Sequence, residues 1–266
     1  MRELFKGEFA IALQALPVYL CHKYKCVMDN YLKETKILDY SNVSIQELLE
    51  QRGWKDLGNV SRVKAIYNFV RDEIKFGYNV SDDIPASEIL QDGYGQCNTK
   101  ATLLMTLLRA TGIPNRIHGF TIDKALQKGA ITGIWYKLSP QNILHSWVEV
   151  WVNEQWYFLE GVILDKPYLT KLQEQNSDCK TTFCGFGVYT DNFENPPIEW
   201  NLNNTFIQDK GINQDFGVFD TPDEFYSKHQ QKLNALKRFV FQYIVRYIMN
   251  NNVEIIRNKS VTNLKN

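Results

Sequence analysis

Cysteine is scarce in this chain: five in 266 residues, too few to staple a fold and odd in number, so at least one thiol stays unpaired. Net charge is absent as well. Thirty Lys and Arg stand against thirty Asp and Glu, which removes the electrostatic case for nucleic acid or an anionic membrane as the main partner. No apolar run is long enough to span a bilayer. Phe9 to Leu20 is interrupted by Gln14 and Pro17, and Phe239 to Met249 by Gln242 and Arg246, so both read as buried or surface-packed helices without stable membrane insertion. A secretory pattern is missing too, because Glu3 and Glu8 spoil a basic start and Cys21-His22-Lys23 stands where small residues should flank a cleavage site. A soluble, cytoplasmic protein is expected. What is present is a hydrophobic fraction of 44%, enough to bury a real core.

Neither repeats nor Pro/Gly/Ser linkers divide the chain. The first fifty residues read as mostly helical, with Ser44 to Gln51 a short capped helix. Val63, Ile66, Tyr67, Val70 and Ile74 recur at helical spacing over 61–74. The glycine-punctuated loop Asp92-Gly93-Tyr94-Gly95-Gln96-Cys97 leads into an almost wholly apolar helix from Asn98 to Thr111, which Gly112 and Pro114 stop. Such a helix is buried on most sides. Strands are expected at 115–121, 145–152 and 155–160. The tetrapeptide Thr221-Pro222-Asp223-Glu224 is a capping box with proline at the first helical position, opening a long helix over 221–250. The order of elements is α+β.

Cys97 sits where a glycine loop meets a helix start, and unpaired N–H groups and the helix dipole there favour a thiolate. His145 begins the most regular strand. If Asn153-Glu154 is a two-residue hairpin turn, opposed residues sum to 307. Trp147 then faces Glu160, on the same face as His145 and one diagonal step from it. Asp165 has the wrong parity in that register, and a one-residue slip would reverse the choice. Thiol, imidazole and carboxylate in this relation suit nucleophilic catalysis, with His145 managing the proton of Cys97 and Glu160 orienting the ring.

The chain resembles the transglutaminase-like superfamily of cysteine enzymes. The resemblance is carried by Gly95-Gln96-Cys97, the apolar helix, Leu108-Arg109 through Gly112-Ile113-Pro114-Asn115-Arg116, His145-Ser146-Trp147-Val148-Glu149-Val150, and Trp156-Tyr157-Phe158-Leu159-Glu160. It covers about residues 61–165. It implies a papain-like core, with a central helix packed on an antiparallel sheet, and a catalytic triad of Cys97, His145 and Glu160. On this reading residues 1–60 are a helical N-terminal extension, 61–165 the catalytic core, and 166–266 a C-terminal extension packed on it as one domain. The implied activity is amide chemistry through an acyl-thioester on Cys97, on a peptide or protein substrate, with water or an amine as acceptor. The alternative is a catalytically inactive interaction module that keeps the fold. Two departures stand out. Glu160 occupies the place of the usual Asp, and Asn98 follows the cysteine where true transglutaminases carry tryptophan, which leaves crosslinking unsupported. Gln91, six residues before Cys97 as in papain-type proteases, is a candidate oxyanion or substrate-binding residue, as are Gln96 and Trp147. His118 reads as a structural partner.

The remaining cysteines form two C-x4-C pairs, Cys21/Cys26 and Cys179/Cys184. Zinc is the weakest reading of them, a Cys179–Cys184 disulfide the next, and free thiols the expectation. No metal or cofactor is expected. The aromatic and glycine-rich stretch 176–220 either walls the cleft or packs irregularly on the core.

Overall fold

A computed structural model describes residues 28–231 and 233–258. Helices α1 (Val43–Arg52), α2 (Asn59–Asp72), α3 (Ala86–Asp92), α4 (Cys97–Ala110), α5 (Gly133–Leu138) and α6 (Lys166–Gln175) precede the C-terminal α7 (Pro222–Lys228), α8 (Ala235–Val240) and α9 (Arg246–Asn258). Strands β1 (Lys75–Phe76) and β2 (Tyr94–Gly95) form a short parallel pair; β3 (Asn115–Asp123), β4 (Asn142–Val152) and β5 (Gln155–Phe158) follow, then the hairpin β6 (Phe183–Gly185) and β7 (Val188–Thr190), and finally β8 (Ile212–Phe219). The main sheet is antiparallel with order β5-β4-β3-β8. The fold is therefore α+β, with central helix α4 packed on this sheet.

The local chemistry explains why α4 starts at Cys97. The Gln96 N–H donates to Thr99 Oγ1 (3.0 Å), closing a capping box with the Gln96 side chain. Gly95 is required there, because a Cβ would lie 2.7 Å from Thr99 Oγ1 and 3.0 Å from Lys100 Cγ. Every residue of α4 from Cys97 to Arg109 is buried. On the sheet side, Ser146 Oγ donates to Asn98 Oδ1 (2.9 Å), and Val148 and Val150 are fully buried. Helix α2 covers α4 with Val63, Ile66, Tyr67 and Val70, each without exposed surface.

The β4–β5 hairpin turns at Asn153 (φ 50°) and Glu154 (φ 61°), both left-handed, as a type I′ turn needs. Pairing runs Val152 with Gln155 through Glu149 with Phe158, which is the expected register. Strand β5 stops at Phe158, however, not at residue 160. The Leu159 N–H still donates to Val148 O (2.8 Å), and Glu160–Val162 then winds into a 3-10 turn. The turn forms because Glu160 and Gly161 donate their N–H groups to Thr205 O, at 3.1 and 3.3 Å, instead of to a sheet neighbour.

The C-terminal region differs from expectation in one respect. The Thr221 capping box is present, its hydroxyl accepting from the Glu224 N–H (3.1 Å), but α7 ends at Lys228 rather than near residue 250. Gln231 caps the free edge of β4, accepting from the Leu144 N–H (2.8 Å) and donating to Asn142 O (3.1 Å). A new helix begins at Ala235 with Asn234 as N-cap and continues through a π segment (Phe241–Val245) into α9. Of the mostly helical first fifty residues expected, 1–27, with Cys21 and Cys26, lie outside the described residues, and 31–42 form turns and loop instead of helix, up to α1. No helix among the described residues is long and apolar enough to cross a membrane.

Gly119 on β3 sits directly beneath the fully buried Phe225 of α7. A Cβ there would fall 2.2 Å from Phe225 Cε2. Gly119→Ala is expected to destabilise the protein by about 1–3 kcal/mol through overpacking, read as a lower urea midpoint at unchanged slope.

Candidate functional site

His145 is fully buried. Its Nε2 lies 2.7 Å from Glu160 Oε1. Its Nδ1 has no oxygen or nitrogen partner among the described residues, while the Cys97 thiol acts on the ring as both hydrogen-bond and charge partner. Burial opposes a charged imidazole, but Cys97 and then Glu160 outweigh it and lift His145 to about 10. Cys97 is 8% exposed. As the first residue of α4, its N–H has no intrahelical acceptor. The structure thus brings Cys97, His145 and Glu160 together.

Glu160 is held from both ends. While Oε1 faces His145, Oε2 accepts the backbone N–H groups of Ile207 (2.8 Å), Gln208 (2.9 Å) and Asp209 (3.1 Å). The carboxylate is fully buried, and three convergent amides offset its desolvation. Its longer side chain, one methylene beyond Asp, spans the gap between imidazole and loop. Residues 205–211 therefore belong to the site. This loop falls in the stretch that could wall the cleft or pack on the core, and the stretch does both: Gln208 and Gly187 line the cleft, while Phe193 and Trp200 are buried in the core.

Cys97 opens on a cleft of about 700 Å³. Around the thiol the wall is polar, with Asp82, Gln96, Asn98, Tyr78 and Tyr226. Beyond them it is mostly apolar, for example Ile131, Ile143, Leu144, Val240, Phe241 and Met249. Tyr226 is buried beside Thr102 and Ser146; burial raises its hydroxyl well above the usual range, and the neighbouring Asp82 and Cys97 add to this. Tyr78 behaves likewise, through burial first and then Tyr168 and Cys97. Burial also raises Asp82, against hydrogen bonds from Gln96 and Asn98.

The other candidates are placed as follows. Gln96 is committed to the loop: Oε1 accepts from the Asn79 N–H (2.9 Å) and Nε2 donates to Asp82 Oδ1 (2.9 Å). Gln91 is exposed on α3 and does not line the cleft. Trp147 packs edge-on against His145 at 6.5 Å and tilted on Phe120 at 4.1 Å, supporting the imidazole from behind. Asp165 caps α6, pairing with Arg257 (2.7 Å) and accepting from the Phe76 N–H (2.8 Å), so it serves the C-terminal helix. His118 lies between Glu149 and Asp215, 2.8 Å from each. Cys179 and Cys184 are free thiols. Among the described residues, no group of three or more His, Cys, Asp or Glu could hold a metal.

One turn after Cys97, Lys100 is fully buried and donates to Arg71 O (2.9 Å). Burial lowers it to about 7, against the pull of Asp165 and Asp72. An unfolded lysine keeps its proton to about 10.4. Between these values the unfolded state binds the extra proton, so this group makes stability rise with pH. Wild type should gain melting temperature relative to Lys100→Met between pH 7 and pH 10. A constant difference over that range would contradict the assignment.

Sequence comparison finds similar proteins over one segment of the chain. An uncharacterized protein of Bacillus subtilis strain 168, YebA, is 29% identical over 129 residues, covering 45% of this chain. The match spans only 17% of that relative's length. Among solved structures, a candidate cysteine protease from Cytophaga hutchinsonii aligns over 49% of this chain and 40% of its own, at 17% identity and TM-score 0.35. Red sea bream transglutaminase aligns over 50% and 26%, at 21% identity and TM-score 0.28. The family model of the transglutaminase-like superfamily matches residues 49–161, which contain Cys97, His145 and Glu160. Over residues 49–161, less than half of its length, the chain is therefore similar to the transglutaminase-like superfamily.

Proposed function

We propose that the protein is a cysteine-dependent amide enzyme working through an acyl-thioester on Cys97. The observation that carries this reading is the buried His145, bonded to Glu160 at 2.7 Å on one side and flanked by Cys97 on the other. Cys97 Sγ attacks the amide carbon, His145 delivers its proton to the leaving nitrogen, and the C–N bond breaks as the S–C bond is retained. An acceptor then gives its proton to His145 and displaces Sγ. Glu160 fixes the ring and stabilises its charged form. The Cys97 N–H and the Tyr226 hydroxyl, both lining the cleft, would serve as donors to the developing oxyanion. The apolar cleft suits an amide whose acyl side carries a large apolar group. Water is the default acceptor unless a site excludes it, which favours hydrolysis over transamidation.

The inactive-module alternative drew on glutamate standing at the acid position. Its foothold weakens when that glutamate reaches the imidazole within hydrogen-bond distance. The test is iodoacetamide labelling with each cysteine resolved by mass. Cys184 is the internal reference, because burial and Asp123 raise its thiol. An enzyme requires Cys97 to label faster than Cys184 near neutral pH although it is the less exposed of the two. Equal or slower labelling of Cys97 removes the case for a nucleophile.

A further inference from the structure

We propose that the outer face of the C-terminal helix, together with the exposed edge of α5, docks on an anionic lipid bilayer at the mouth of the Cys97 cleft. The helix running from Ala235 to Asn258 is apolar on two sides. Its inner side, with Val240, Phe241, Val245 and Met249, lines the cleft. Its outer side carries Phe239 (56% exposed), Tyr243 (63%) and Tyr247 (58%), with Leu236 (71%) at the rim, where it also lines the cleft. These four follow one another by three, four and four residues, a single helical stripe. A helix with apolar residues on both faces is at home only when both are covered. The neighbouring α5 adds Ile134 (57%) and Leu138 (52%) to the same rim, joined to it where Lys237 Nζ donates to Leu138 O (3.4 Å).

The helix is firmly mounted, so the stripe is presented and not merely frayed. Asn250 accepts from the Tyr78 N–H (2.7 Å) and donates to Tyr78 O (3.1 Å). Further along, Arg257 bridges Asp165 and Phe76 O.

Charge selects the occupant. The chain as a whole is neutral, yet from Phe225 to Val253 it contains no Asp or Glu and five basic residues, Lys228, Lys232, Lys237, Arg238 and Arg246. Local asymmetry therefore departs from the neutral average. Exposed Lys237 and Arg238 stand between the stripe and the cleft mouth, which they also line, and the Arg246 guanidinium covers the Tyr247 ring at 4.5 Å while donating to its hydroxyl (2.9 Å). Apolar and aromatic side chains bordered by cations match the interface of an anionic bilayer. A second copy of the same face would bring its own cations to the contact. Since no described helix can cross a membrane, the docking is peripheral, consistent with the cleft receiving an apolar group from the interface. The docking claim stands without the catalytic reading.

The test is flotation of the full chain with vesicles of phosphatidylcholine alone and with about 30% phosphatidylglycerol. At low salt the protein should bind the anionic vesicles about tenfold more tightly or better, and lose most of this at high salt. Phe239→Asp with Tyr243→Asp, and separately Lys237→Glu with Arg238→Glu, should each reduce binding about tenfold. The Phe239/Tyr243 pair, whose side chains do not line the cleft, should leave the Cys97 labelling rate unchanged. The charge pair lies on exposed side chains and keeps the test valid should the apolar pair misfold. Three results would overturn the proposal: no binding to anionic vesicles at low salt, binding that survives the charge pair, or a dimer abolished by these variants without any vesicle binding.

Discussion

Glu160→Ala is expected to lower stability by about 3–5 kcal/mol, the cost of removing one partner from a buried ionic pair. The position is unusual in how much depends on it. The carboxylate is fully buried and serves the His145 ring together with the amides of Ile207, Gln208 and Asp209. Truncation strands all four donors away from water. Glu160→Gln is no safe substitute, since its amide NH₂ must face either the imidazole or the three N–H groups, donor against donor. Glu160→Asp keeps the charge but cannot reach both ends. Urea midpoints should rank wild type above Asp and Gln, with Ala lowest. Catalysis should fall by roughly 10⁴-fold in the alanine variant, as when the orienting acid of a triad is lost. A Glu160→Ala protein within 1 kcal/mol of wild type, on the order of the usual surface change, would contradict the clamp.

His145→Ala carries the second large effect, a loss of about 10⁶-fold in turnover if the three groups act as a unit. It also has a signature in stability that a simple packing residue would lack. The folded ring holds its proton to about 10, whereas an unfolded histidine releases it near 6.5. Between these values the folded state binds the extra proton. The stabilisation from this group is complete below about 6.5 and is lost as pH rises through about 10. The melting-temperature gap between wild type and His145→Ala should therefore narrow from pH 6 to pH 10.5. This runs opposite to the trend expected for Lys100, so the two variants separate the contributions. A gap that stays constant would show that His145 is not the charged partner of Cys97 and Glu160.

Much of this site was legible from local signals. The glycine loop, the apolar helix and its Gly112-Pro114 stop located α4 and Cys97, because capping and periodicity are read over a few residues. The two-residue turn at Asn153-Glu154 fixed the β4–β5 register and so brought the Glu160 neighbourhood to His145. The register argument succeeded up to Leu159 and then overran, since the 3-10 turn at Glu160 is set by Thr205, 45 residues away in the chain. The Oε2 clamp, Tyr78 and Tyr226 were not legible for the same reason. Nothing near residues 207–209 in sequence marks three amides as convergent on a carboxylate. The break at Lys228 depends on Gln231 meeting the open edge of β4, a contact that no helical period encodes. The C-terminal helix shows the limit of averaged quantities. Net charge over 266 residues is zero, while the acid-free stretch from Phe225 to Val253 is visible only when charge is followed along the chain.

The most direct test of the central claim is to trap the acyl-enzyme. The protein is mixed with the p-nitrophenyl ester of an apolar acid, quenched with acid in the first turnover, and digested for peptide mass analysis. The account predicts the mass of the acyl group on the peptide containing Cys97, its release by hydroxylamine as a thioester, and its absence from the same peptide in Cys97→Ala. Release of p-nitrophenol at an equal rate by Cys97→Ala, or acylation distributed equally over Cys97, Cys179 and Cys184, would contradict it.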